Sequence, residues 1–226
     1  MKKNYILLFL LSVTIGFAQD GAPATPYYNS FNWTQTGTAL KNALATKITT
    51  THTNPLTYQE AEDAIKVVDL DPTDVTNTNV LLLYGFSSSI CPSSTSDDND
   101  HRRRNKNSDG GGASCEWNRE HVFPQSLGNP VLGQSGPGSD AQMLRACDVQ
   151  RNGDRANKKF GAGSGTQSYT AGANWYPGDE WKGDGARIIM YMYLRYGDQC
   201  LPTNVGVGST TGTGDSMIDL FLTWNA

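Results

Sequence analysis

The chain has 226 residues, and 22 aspartate and glutamate residues against 18 lysine and arginine residues give it a formal net charge of −4 at pH 7. This length suits one domain with a sizeable core. The acidic balance does not indicate a surface that holds nucleic acid by bulk charge, so any phosphate contact needs a local cluster of arginine and lysine.

The first eighteen residues predict a signal peptide. Two lysines precede a short apolar run, and Gly16 and Ala18 place small residues at the −3 and −1 positions of a signal-peptidase site. The run is too short to span a bilayer as a permanent helix. We therefore expect residues 1–18 to be removed and residues 19–226 to be secreted or periplasmic. We also expect a monomer with no membrane contact.

The next part of the chain predicts two helices and a strand. Apolar residues recur at every fourth position from Leu40 to Ile48, which is the spacing of a helix face. Thr57 and Glu60 fit a capping box at the start of a second helix. That helix would bury Ala61, Ile65 and Val68. The apolar run over 80–84 is short and precedes a glycine, so it predicts a buried strand.

The segment 87–114 is rich in serine, aspartate, asparagine and glycine, and predicts a long loose loop. Its basic run over 102–106 has two interpretations: a solvated loop, or a mobile contact to phosphate that weakens modestly when the arginines are neutralised.

The four cysteines show no Cys-x-x-Cys spacing, so a zinc ribbon is disfavoured and disulfides are expected in an oxidising compartment. Three pairings are open. We favour Cys91 with Cys115, because the segment between them is otherwise loose, which leaves Cys147 with Cys200.

The second half of the chain predicts a strand and three helices. Residues 120–122 are expected at or near a strand, and Asn152 on or beside a helix that is entered from residues 147–148. The segment 186–196, ended by Gly197, predicts a largely buried helix. A last helix, capped by Asp215, is predicted from four apolar residues that share one face. These residues are Met217, Leu220, Phe221 and Trp224.

The pair Glu120 and His121, with Asn152 about thirty positions later, carries the chemistry. A neutral imidazole accepts a proton from water near pH 7. Carboxylate and amide oxygens are hard ligands that suit Mg²⁺ when it keeps most of its waters. A general base beside a hard cation is an arrangement that can catalyse phosphodiester hydrolysis.

Three sequence blocks, taken in order, resemble the bacterial endonuclease I family of secreted or periplasmic nonspecific nucleases. The blocks are CEWNREHVFPQSL at 115–127, NGDRANKKFG at 152–161 and KGDGARIIMYM at 182–192. The resemblance covers roughly Leu40 to the C-terminus. It implies an α+β domain, largely helical, with a small sheet and a ββα-metal active-site motif.

The resemblance also implies residue roles. His121 falls on the family's general base, and Glu120 and Asn152 fall on its two protein ligands for one divalent ion, with Mg²⁺ expected and Mn²⁺ or Ca²⁺ as alternatives. The implied substrate is DNA, with RNA as a second substrate, cut with little sequence preference to 5′-phosphate and 3′-hydroxyl ends. Three arginines inside the blocks, and a fourth in the basic cluster that precedes Asn152, are candidates for phosphate contact. They are Arg119, Arg145, Arg155 and Arg187.

Two departures from the family pattern favour an alternative function. The family's Asp-Leu-His-Asn-Leu stretch is replaced by DAQML at 140–144, and its polar C-terminal segment has no counterpart after Trp224, which indicates a truncated chain. The alternative is a catalytically degenerate extracellular protein that binds nucleic acid. A zinc peptidase is disfavoured because the chain lacks a His-Glu-x-x-His helix.

Overall fold

The computed structural model of the protein describes residues 26–85, 102–110, 112–113, 115–212 and 214–226. These residues form a single α+β domain, as predicted. The expected signal peptide, residues 1–18, lies outside the described residues.

Six helices and three antiparallel two-stranded sheets are present in the described ranges. In chain order they are α1 (Gly37–Thr51), α2 (Tyr58–Val68), β1 (Asn79–Leu81), β2 (Arg103–Asn105), β3 (Trp117–His121), β4 (Leu144–Asp148), α3 (Val149–Arg155), β5 (Tyr169–Ala171), β6 (Asn174–Tyr176), α4 (Lys182–Tyr196), α5 (Pro202–Val205) and α6 (Asp219–Asn225). β1 pairs with β2, β3 with β4, and β5 with β6.

The capping box predicted for α2 is confirmed. The Thr57 hydroxyl accepts from the Glu60 backbone N–H at 3.2 Å, and the Glu60 carboxylate accepts from the Thr57 N–H at 2.8 Å. Ala61 and Ile65 are buried as expected, but Val68 is 63% exposed. The helix ends at Val68, and the next residue, Asp69, is the one that turns inward.

The hairpin of β3 and β4 forms the centre of the fold. Its register pairs Trp117 with Asp148 at one end and His121 with Leu144 at the other. α2 packs against β4, and α3 packs against both strands. α4 contacts α1 on one side and α6 on another, and its buried residues join the same hydrophobic core as the hairpin. The range of α1 includes the predicted positions 40–48, and the range of α4 includes the predicted positions 186–196, so both helices form where the sequence predicts them.

The apolar run over 80–84 is a strand only in part. Val80 and Leu81 belong to β1, whereas Leu83 makes an isolated parallel bridge to Cys147. Tyr84 then adopts a φ of +70°, a left-handed conformation that is costly for an aromatic residue. This turn ends the strand and directs the buried Tyr84 ring into the core.

Part of the expected loop over 87–114 is ordered structure. Arg103–Asn105 form β2, which pairs with Asn79–Leu81. Arg102 pairs with Glu180, Arg103 with Asp71 and Arg104 with Asp148. The expectation of a mobile basic tip is therefore wrong for these residues, because acids from distant segments fix each arginine.

The structure contradicts the Cys147–Cys200 bridge. Both cysteines are free thiols buried at separate positions of the core, and burial raises the pKa of each. The Cys147 thiol contacts the Leu83 carbonyl at 3.4 Å. Cys91 lies outside the described residues, so its pairing with Cys115 stays a prediction that peptide mapping can test.

Asp215 does not cap the last helix. α6 begins four residues later, at Asp219, after Ile218. The Asp215 carboxylate instead accepts from the Met217 N–H at 2.9 Å and pairs with Lys41 at 3.0 Å. It therefore ties the preceding turn to α1. Phe221 and Trp224 are buried as predicted.

Asp148, the last residue of β4, connects this strand to α3 and β2, so its replacement tests what holds the fold together. Its carboxylate caps α3 and pairs with the buried Arg104 of β2 at 3.1 Å. Asp148→Ala should lower the free energy of unfolding by about 3 kcal/mol or more, since a helix cap and one partner of a buried ion pair are lost together.

The matched control for that substitution is Asp184→Ala. Asp184 pairs with the exposed Arg187 of its own helix. Loss of this exposed ion pair should lower the free energy of unfolding by less than about 1 kcal/mol. Urea denaturation measures both variants, and equal losses would contradict the role assigned to Asp148.

Candidate active site

Glu120, His121 and Asn152 line one pocket of about 280 Å³. Glu120 and His121 are the last two residues of β3, and Asn152 lies in the middle of α3. Arg119 and Arg155 line the same pocket. The structure thus brings together the base and the two metal ligands predicted from the sequence.

Asp148 explains why α3 lies beside β3. β4 ends at Asp148, whose carboxylate accepts from the backbone N–H groups of Gln150 and Arg151 at 3.0 and 3.1 Å. This cap starts the helix directly after the strand, with no intervening loop. Asn152 then donates its Nδ2 to the Asn118 Oδ1 at 2.7 Å and to the Arg119 carbonyl at 3.2 Å.

The Glu120 carboxylate is held from two sides inside the protein. The residue is 2% exposed, and its Oε1 accepts from the Tyr84 hydroxyl at 2.9 Å. The Arg155 Nε lies 3.4 Å from the same oxygen. Burial raises the pKa of Glu120, and the Arg155 charge and the Tyr84 hydrogen bond oppose that rise. Both contacts fall on Oε1.

His121 is oriented by a backbone carbonyl. Its Nε2 lies 3.0 Å from the Gly138 carbonyl oxygen. Burial, followed by the positive charges of Arg119 and Arg155, lowers the pKa of His121 to about 4, although the Gly138 contact acts in the opposite direction. The imidazole is therefore neutral near pH 7. Because a carbonyl can only accept, Nε2 carries the proton and Nδ1 carries the lone pair.

The four candidate arginines divide between two pockets. Arg119 and Arg155 are at the Glu120 pocket, whereas Arg145 and Arg187 line a separate cavity of about 420 Å³. Arg145 pairs with the buried Asp69 at 2.7 Å, and Arg187 pairs with Asp184. Sequence blocks therefore do not identify which arginines share a site.

Arg155 has a structural position within the pocket wall. It is 1% exposed, and its guanidinium donates to the backbone carbonyls of His121 at 3.2 Å and Val122 at 2.8 Å. Arg119 is partly exposed and pairs with Glu62. Of the two, Arg119 is better placed to reach a phosphate.

Comparison with known proteins identifies the family. The sequence model of endonuclease I matches residues 36–226. The chain belongs to the endonuclease I family. It is therefore a nuclease, and the noncatalytic alternative is disfavoured.

Two relatives of this endonuclease I family member carry the name extracellular ribonuclease. One, from Bacillus subtilis (strain 168), is 37% identical over 221 residues, which cover 90% of this chain and 68% of that protein. The other, from Bacillus amyloliquefaciens, is 37% identical over 202 residues, covering 84% of this chain and 62% of that protein. Among the described residues, no helix is long and apolar enough to cross a membrane.

Three residues at this endonuclease I site were missed by sequence reasoning. Tyr84 ends an apolar run and resembles a core residue, and Tyr58 stands inside a capping box that explains it locally. The role of Asn118, in contrast, could have been predicted from its position in the sequence. Residues two apart on a strand share a face, so Asn118 belongs on the face of Glu120, where it holds Asn152.

The donor set at the pocket fits a hard divalent ion. Within the described ranges, no group of three or more histidine, cysteine, aspartate or glutamate residues is arranged to hold a metal. A site with one carboxylate and one amide is of a different kind and suits a cation that keeps several waters. Because Asn152 uses its Nδ2 on protein acceptors, its amide oxygen is the atom left for such a cation.

Proposed function

We propose that this protein is a secreted endonuclease that depends on a divalent metal and hydrolyses phosphodiester bonds of both DNA and RNA. One observation carries the proposal. The contact between His121 Nε2 and the Gly138 carbonyl leaves a basic Nδ1 on a side chain that lines the same pocket as Glu120 and Asn152. A base and two oxygen ligands then act on one phosphate.

The metal ligands we assign are the Glu120 Oε2 and the Asn152 Oδ1. Tyr84 and Arg155 both contact Oε1, so Oε2 is the oxygen assigned to the ion. Mg²⁺ is the expected ion, with Mn²⁺ or Ca²⁺ as alternatives. When bound, the ion would stabilise the negative charge that builds on the phosphate.

The reaction we assign to His121 is general-base activation of water. Nδ1 takes a proton from a water molecule while the water oxygen forms a bond to phosphorus. The bond from phosphorus to O3′ breaks, and O3′ leaves with the electron pair and takes a proton from solvent. The products are a 5′-phosphate and a 3′-hydroxyl.

Water as the nucleophile explains why two substrate classes are proposed. The attack does not use a 2′-hydroxyl, so the same chemistry serves DNA and RNA. The names of the two Bacillus relatives support RNA as one substrate. They also support secretion, together with the signal-peptide pattern at residues 1–18.

The test is cleavage of plasmid DNA and of a single-stranded RNA by the mature protein, with Mg²⁺ and with EDTA. We expect nicking and RNA cleavage with Mg²⁺, loss of both with EDTA, and 5′-phosphate ends on both products. RNA ends that carry a 2′,3′-cyclic phosphate would refute direct attack by water.

His121→Ala tests the base. We expect a loss of about 10²–10⁴-fold in rate with the fold retained, because a positioned acid-base group contributes about that factor. His52→Ala is the matched control, since His52 lies at the end of α1 outside the pocket. Cleavage by His121→Ala at the rate of the control would reject the assignment.

Glu120→Gln and Asn152→Ala test the metal ligands. Each should raise the Mg²⁺ concentration for half-maximal activity by at least about tenfold, since each removes or weakens one oxygen ligand. Calorimetric titration of Mg²⁺ provides a second readout. Unchanged Mg²⁺ affinity in both variants would contradict a shared site.

Tyr84→Phe tests whether the hydrogen bond to Glu120 supports metal binding. Loss of the hydroxyl should weaken Mg²⁺ binding by about tenfold, the lower range for partners that orient a metal ligand. Tyr176→Phe is the control, because Tyr176 is also buried and donates to a carboxylate, that of Asp179, away from the pocket. Equal Mg²⁺ affinities of the two variants would show that Tyr84 has no such role.

A further inference from the structure

Three side chains are stacked at the edge of the pocket. The Tyr58 ring lies 5.7 Å from the His121 ring between centroids, at an interplanar angle of 20°. The Arg119 guanidinium lies 3.7 Å from the centroid of the Tyr58 ring. The tyrosine ring therefore contacts both the proposed base and a cation that lines the same pocket.

Tyr58 is itself held firmly. It is the first residue of α2, directly after Thr57, whose capping box fixes the start of the helix. Arg119 Nη1 donates to the Tyr58 carbonyl at 3.0 Å, and the same guanidinium pairs with Glu62 one turn further along α2. The ring position is thus defined by the helix and by β3 together.

A second connection links this tyrosine to the carbonyl that holds His121. The Ser139 hydroxyl donates to the Leu56 carbonyl at 2.7 Å, and Ser139 is buried. Ser139 follows Gly138, whose carbonyl contacts His121 Nε2, and Leu56 lies two residues before Tyr58. The two segments that carry the supports of the imidazole are therefore joined by a hydrogen bond next to each support.

One hydrogen bond does not fix a histidine ring. The χ2 torsion of histidine has a broad, roughly twofold profile, so a contact at Nε2 alone leaves the ring free to rock about that contact. A flat neighbour against the face of the ring restricts this motion. Tyr58 provides such a neighbour.

We propose that Tyr58 is a positioning residue which, with the Gly138 carbonyl, sets the plane of the His121 imidazole so that Nδ1 faces the attacking water. This inference rests on the proposed role of His121 as base. Tyr58 acts through His121, and the aromatic ring rather than the hydroxyl performs the function. Ordinary core packing would instead require only apolar volume at position 58.

Tyr58→Leu and Tyr58→Phe separate these two roles. Leucine keeps apolar bulk but has no flat face, so kcat should fall by roughly 10- to 10²-fold, the scale of a small misplacement of a reacting group. KM and the Mg²⁺ midpoint should stay within about twofold of the native values. Phenylalanine keeps the ring and should restore most of the kcat lost with leucine.

Ser139→Ala tests the hydrogen bond between Ser139 and Leu56, which connects the two segments that support the imidazole. It removes a hydroxyl that donates to a backbone carbonyl, and kcat should fall in the same direction as in Tyr58→Leu but by less. Thr50→Val is the matched control, because the Thr50 hydroxyl also donates to a backbone carbonyl, that of Thr46 at 2.8 Å, within α1. It should leave kcat unchanged.

A spectroscopic readout separates this proposal from the proposed function. In the native protein, the ¹⁵N shifts of His121 should show one tautomer with the proton on Nε2, and Tyr58→Leu should give a mixture of tautomers or broadened signals. Thermal unfolding confirms that each variant is folded.

Two outcomes would overturn the positioning role. One is native kcat together with a native histidine spectrum in folded Tyr58→Leu. The other is an equal loss of kcat in Tyr58→Phe and Tyr58→Leu, which would implicate the hydroxyl. If His121→Ala cleaves at the native rate while Tyr58→Leu still disturbs the His121 spectrum, the proposed base fails and the positioning of the ring stands.

Discussion

The buried ion pair between Glu120 and Arg155 is the constraint on which the site depends. Both residues are almost wholly removed from solvent, so each charge needs the other to offset its loss of hydration. Arg155 also donates to the carbonyls of His121 and Val122, which fixes α3 against β3. A buried pair of this kind is a weak source of net stability but a strong determinant of geometry, because any shift that separates the partners is costly. Asn152 is consequently held beside Glu120.

Ion pairing with carboxylates also accounts for most of the other arginines of this acidic protein. The basic residues that look available in the sequence are mostly committed to carboxylates: Arg103 to Asp71, Arg104 to Asp148 and Arg145 to Asp69. These pairs connect β2, β4 and α2 to the segments around them, so the arginines act as structural connections. Arg119, which lines the candidate active-site pocket, is paired in the same way, with Glu62 of α2.

Local patterns in the sequence predicted local structure, and they failed where distant segments decide the outcome. The spacing from Leu40 to Ile48 and the box at Thr57 define helices because neighbours three or four residues apart suffice to form them. The family resemblance predicted that Glu120 and His121 share a site, and both line one pocket. No local pattern reveals that Arg102 meets Glu180, 78 residues away, or that Tyr58 stacks on His121. The Cys147–Cys200 error has the same origin, because pairing depends on tertiary distance and not on the count of cysteines.

The end of β3 resolves an apparent geometric difficulty. Neighbouring residues on a strand point to opposite faces, so Glu120 and His121 should not serve one pocket. Because β3 ends at His121 and the chain continues past Pro124, the pocket lies at the edge of the strand, where both side chains reach it. Each then has its own support: Tyr84 and Arg155 for Glu120, and the Gly138 carbonyl with Tyr58 for His121. Arg155 nevertheless links the two residues, because it pairs with Glu120 and also donates to the His121 carbonyl, so a change at Arg155 would affect both proposed roles.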